Sequence, residues 1–136
     1  MKTQPVLPPT ITDEYLNRVI ELLSAPRRDS QGRITHDHSW IRHAEAIDAN
    51  GNHCSPKSDL AVAYCTIGAV RAVTLYDPNP EQAYKYVLSI IDAANPEVVA
   101  NANPYTGGIP HVNDSHEFQR VIKMLNKAKT LVARWL

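Results

Sequence analysis

Cys65, His111 and Asn113 follow one another in the chain as a thiol, an imidazole and a carboxamide. That is the residue set of a cysteine hydrolase, in which a base makes the thiolate and a polar group orients the base. Such thiols favour helix N-termini, where the dipole lowers their pKa. Cys65 lies in "AYCTIGAVRAV", within a run from Leu60 to Leu75 that holds a single charge, Arg71. Read as one helix opening at Ser58, the run puts Cys65 two turns in, on an apolar face. A thiol there is inert core with a raised pKa. The expectation is therefore a packing residue that alkylates more slowly than Cys54. No catalytic residue is assigned in this reading, and Cys65, His111 and Asn113 stand as the catalytic alternative.

A second set is metal-like. His36, His38, His43, His53 and Cys54 cluster in sequence, and imidazole with thiolate suits Zn²⁺. Their spacing matches no zinc-finger or ribbon pattern, so solvated histidines are expected, with His36, His38, His53 and Cys54 as the metal alternative. No cofactor is expected. A third set could hold a small ligand between a hairpin, the Gly107-Gly108 loop and the last helix: Trp40, His43, Gly107, Gly108, His111 and Asn113. Gly107-Gly108 could cradle phosphate ahead of a helix, although Asp114 beside it would repel an anion.

The elements that must position these residues are read from apolar spacing and caps. Residues 1–10 carry Pro5, Pro8 and Pro9 and read as an extended arm, and 11–136 read as a single globular domain. Thr12 should cap a first helix with Leu16, Val19, Ile20 and Leu23 on its inner face. Pro26 should end it, leaving Arg27-Arg28 as a solvated helix end and the residues up to His38 as a mobile loop. Asn50-Gly51 predicts a type I′ hairpin between strands at 40–48 and 52–55. In the helix that follows, Gly68, Ala69 and Ala72 form a small-residue face for close backbone contact. A third helix starts at Asn79-Pro80, with Tyr84, Val87, Leu88 and Ile91 inside, and a short one at Asn95-Pro96. "YTGGIPHV" reads as a loop. Asp114, with Glu117 three residues on, predicts a capping box for the last helix. The sum is an α+β, mainly α fold: a compact bundle of four to five helices with one β-hairpin.

Lys plus Arg and Asp plus Glu each number 14 among 136 residues, so the net charge is zero. Direct nucleic-acid binding is not expected from that balance. No stretch approaches the ~18 apolar residues of a membrane span, and the N-terminus lacks the apolar core of a signal peptide. Two cysteines make no disulfide framework, which predicts a cytoplasmic protein of a bacterial or infected host cell.

Trp40, Ala44 and Ala46, then Asp48 with Gly51, then Ala61, Cys65, Gly68 and Ala69, and finally Asn113-Asp114 form a recurring pattern. It resembles an uncharacterised family of small bacterial and bacteriophage proteins. Those proteins show a Trp, an Asp-x-x-Gly turn, an Ala-x-x-x-Cys-x-x-Gly-Ala segment and an Asn-Asp pair. The family often has an aromatic where this chain has His111. The resemblance implies a fold unit and a phage or mobile-element setting, not a reaction. The resulting expectation is a small non-enzymatic interaction protein, an inhibitor docking on a host or bacterial-immunity protein. The alternatives are a small-ligand protein for a nucleotide signal and the Cys65–His111 hydrolase.

Overall fold

The computed structural model describes residues 7–99, 109–115 and 117–136. The fold is α+β and mainly helical, with two antiparallel two-stranded sheets rather than one hairpin. Helix α1 spans Pro9–Ser24. Proline suits the first helical position, because its missing N–H would have no partner there. Thr12, expected as the cap, is instead inside the helix and buried, and its hydroxyl donates to the Pro8 carbonyl at 3.0 Å. The expected arm over 1–10 thus already gives way to helix at Pro9, and residues 1–6 lie outside the described ones.

Arg27–Arg28 (β1) and Ile34–His36 (β2) pair antiparallel, where a solvated helix end and a loop are expected. Both strands are polar, so no apolar alternation announces them. The Asp29 carboxylate closes the turn by accepting the amides of Gln31 and Arg33, at 2.9 and 3.0 Å. Gly32 supplies the positive φ. Arg27 turns inward, and its Nη2 donates to the Trp40 carbonyl at 3.2 Å.

Ala46–Asp48 (β3) enters the turn read at Asn50-Gly51. Gly51 has φ +83° and donates to the Asp48 carbonyl. Among described non-glycine residues only His43 has positive φ, so the turn is not type I′. It is a three-residue loop with glycine at its left-handed position. The strands expected at 40–48 and 52–55 shrink to β3 and one bridge between Ile47 and His53. The true partner of β3 is Ala61–Tyr64 (β4), with Ala46 opposite Tyr64 and Ile47 opposite Ala63. The helix expected from Ser58 is corrected accordingly: α2 is only Thr66–Val73, and Cys65 is its N-cap. The apolar run is a half-buried strand followed by a largely buried helix, and periodicity alone does not separate the two.

Pro80–Ala94 (α3) and Pro96–Val99 (α4) start at the prolines that announce them. The last helix is two: Ile109–Ser115 (α5) and Phe118–Ala133 (α6), the latter with Glu117 at its N-cap position but without a side-chain capping hydrogen bond. Pro110, in the first turn of α5, starts helix ahead of the expected Asp114 cap. Helix α6 packs on both α1 and α3, and α2 on α1. Leu16, Val19, Leu23, Val70, Val87, Ile91, Val121 and Leu125 are fully buried between them. Among described residues no helix is long and apolar enough to cross a membrane.

The expected close contact at Gly68 exists, but its partner is a loop backbone, not a helix. A Cβ on Gly68 would stand 2.0 Å from the Glu45 carbonyl oxygen. The Cys65 amide donates to that same oxygen at 3.1 Å, which pins the approach. Alanine in place of glycine gains about 1 kcal/mol in helix propensity. Forcing the loop off the helix costs about 3 kcal/mol or more. Gly68→Ala is therefore predicted to lower the melting temperature by more than about 5 °C, and a melt matching the parent would show the contact to be soft.

Candidate functional site

Three segments converge beside the first turn of α2. Cys65 contributes its Sγ, which accepts the Gly68 amide at 3.3 Å. The loop before β3 contributes His43, Ala44 and Glu45, and α5 contributes Pro110 and Asn113. Together with Ile67 they line a cavity of about 490 Å³, within the usual range of small-molecule sites.

Asn113 holds the three segments together. It is 2 % exposed. Its Oδ1 accepts the Trp40 indole N–H at 2.7 Å, the Thr66 amide at 2.8 Å and the Thr66 hydroxyl at 2.7 Å. Its Nδ2 donates to the Ile41 carbonyl at 3.0 Å. This donor–acceptor set fixes which way the amide points. The carboxamide is thereby tied to Trp40, Thr66 and Ile41. Trp40, read as a ligand contact, is buried, stacked on Phe118 with ring centroids 5.6 Å apart and covered by the Arg42 guanidinium.

The charge around the cavity is arranged from α2 and α3. Arg71 lies 3.8 Å from the Glu45 carboxylate and 3.6 Å from that of Glu81. Its guanidinium sits 3.8 Å from the centre of the Tyr84 ring. Glu45 is thereby drawn toward a cation. The Ile67 amide, second in the helix, has no hydrogen-bond acceptor among the described residues. An N–H at the positive end of a helix is a ready donor to a ligand oxygen.

His43 is exposed on the rim with φ +66°. A non-glycine residue in the left-handed region carries local strain, and such strain concentrates at functional sites.

The placement of the expected residues is therefore uneven. His43, Cys65 and Asn113 meet in one cavity. The expected burial of Cys65 is found, at 8 % exposure within the apolar core, while its expected mid-helix position is corrected to the N-cap of α2, on a cavity wall. Gly107 and Gly108 and the His111 side chain lie outside the described residues, so the Cys65–His111 pair and the phosphate-cradling turn do too. The metal alternative scatters. His36 is exposed on β2, and His38 packs on Phe118 at 4.7 Å between ring centroids. His53 bridges Ile47. Burial, followed by the Asp48 charge, pushes the Cys54 thiol pKa up. Among the described residues no three His, Cys, Asp or Glu side chains form a metal-binding group. Sequence reasoning missed Thr66, Glu45 and Arg71. The signal for Thr66 was Cys-Thr-x-Gly read as the start of a helix instead of its middle.

Removing the Asn113 carboxamide leaves the Trp40 indole and Thr66 amide buried and unpaired, at about 1–3 kcal/mol each. Asn113→Ala is expected to destabilise by about 3 kcal/mol in urea unfolding. A loss under about 1 kcal/mol would mean that the network contributes little.

The chain belongs to a family of unknown function, DUF6197, whose model matches residues 9–131. No curated protein and no solved structure matches the chain.

Proposed function

We propose that this member of a family of unknown function binds a small polar or anionic ligand in the cavity beside Cys65. The observation that carries the reading is the convergence of His43, Cys65 and Asn113, from three separate segments, on one cavity of about 490 Å³. The ligand would present an oxygen to the Ile67 amide at the positive end of α2. His43 would close over it from the rim. Asn113 positions the walls without offering its own oxygen, which already takes three donors. The Cys65 thiol would touch the bound molecule, so a ligand with an electrophilic carbon could be held covalently there.

A docking function, as an inhibitor of a host or immunity protein, is the second reading. Its support is the exposure of two large apolar side chains, Leu60 at 68 % and Tyr76 at 88 %. Single exposed apolar residues are common on monomers, so this reading carries less weight.

Thermal shift across a panel of nucleotides and small carboxylic acids separates the two. The ligand reading predicts that at least one compound raises the parent's melting temperature. In His43→Gly that shift is lost, while the unliganded variant melts at or above the parent, because glycine relieves roughly 1 kcal/mol of left-handed strain. The reading is overturned if no compound in the panel gives a shift that His43→Gly abolishes.

A further inference from the structure

We infer that a second site, the groove between the C-terminal end of α3 and the outer face of α6, binds a small molecule carrying a phosphate or diphosphate group. The chain is neutral overall, yet the residues from Phe118 to Leu136 hold five cations and no acid: Arg120, Lys123, Lys127, Lys129 and Arg134. The charge is not spread evenly around the helix. Lys123, Asn126, Lys127, Thr130 and Arg134 stand at spacings of three, four, seven and eleven from the first, which is a single helical face. All five line one groove of about 420 Å³, and none of its lining residues is acidic.

The pairing of these cations decides which are available. Lys127 donates to Glu97 at 2.9 Å, and the same carboxylate lies 3.6 Å from Arg120. Those two cations hold the Glu97 carboxyl below its usual pKa, Lys127 contributing most. Lys129 donates to the Asn17 side-chain oxygen on α1. Lys123 and Arg134 have no ion-pair partner among the described residues. They bracket the groove, with the Asn126 amide exposed between them, while the exposed Thr130 hydroxyl donates to the Asn126 carbonyl at 3.0 Å. A guanidinium fork and an ammonium flanking one amide donor match the oxygens of a phosphate or diphosphate. The α3 wall, Ala93 and Ala94, is small-sided and apolar, and Leu131 of α6 adds to the apolar lining, which suits the carbon portion of an organic phosphate. The zero net charge argues against an extended phosphate backbone, which is gathered by long-range excess charge. The size of the groove fits one small molecule.

Calorimetric titration with pyrophosphate and with ADP tests the site. Both should bind the parent, more weakly as salt is raised. The double variant Lys123→Gln, Arg134→Gln alters two exposed side chains and should melt like the parent, but it should bind about tenfold more weakly or worse. His43→Gly should leave both titrations unchanged, which keeps this site distinct from the cavity beside Cys65. The inference is overturned if neither probe binds, if the double variant binds as tightly as the parent, or if His43→Gly abolishes binding. It is overturned equally if only a single-stranded oligonucleotide binds, because the face would then track a polymer backbone.

Discussion

One carboxamide sets the architecture around the cavity. The segment at Trp40 and Ile41, the first turn of α2 and helix α5 are far apart in sequence, and each brings a polar group into the interior. Left unpaired, those groups would each cost about 1–3 kcal/mol. Asn113 satisfies them at one point, accepting from the Trp40 indole, the Thr66 amide and the Thr66 hydroxyl and donating a hydrogen bond to the Ile41 carbonyl. The first turn of a helix needs acceptors for its amides. Here a side chain from another helix supplies the one for Thr66, and the Cys65 sulfur supplies the one for Gly68.

The cavity follows from that junction and from one steric fact. The Glu45 carbonyl reaches the α2 backbone because position 68 has no Cβ. It accepts the Cys65 amide there, so β3 and β4 pair beside the start of α2. With the Glu45 backbone fixed, the chain reaches it through His43 in a left-handed conformation. The space left between His43 and α5 opens onto the thiol. Packing and the site are thus one construction: the groups that secure the helix start also form the walls around Cys65. The Arg71 guanidinium, laid on Tyr84 and facing Glu45 and Glu81, ties the same loop to α3.

The helices were largely legible in the sequence. Proline at the starts of α3 and α4 and the Leu16, Val19, Leu23 stripe of α1 are local signals, and local signals survive tertiary context. The strands were not. Polar Arg27–Arg28 and Ile34–His36 are held by the Asp29 turn, which no apolar pattern announces. Ala61–Tyr64 is apolar at every position and shows no alternation, so it read as part of the helix that follows. That single misreading moved Cys65 from a helix N-cap to mid-helix. The close approach at Gly68 was legible as a need for a small residue, but its partner, a carbonyl 23 residues earlier, is a long-range contact that spacing cannot name. Asn113 was legible as a polar residue near a helix start. Its role as the acceptor for Trp40 and Thr66 depends on the fold bringing three distant segments together.

The central claim is that the Cys65 thiol, although buried in the core, borders a ligand cavity at a helix N-terminus. Alkylation of the native protein by iodoacetamide at neutral pH, with each modified site quantified by mass spectrometry over time, tests it most directly. Cys54 is an internal reference, because burial and the Asp48 charge hold its thiol pKa up. The account predicts that Cys65 is modified in the folded protein through the cavity, faster than global unfolding would expose it. Modification of Cys65 only on unfolding would contradict it.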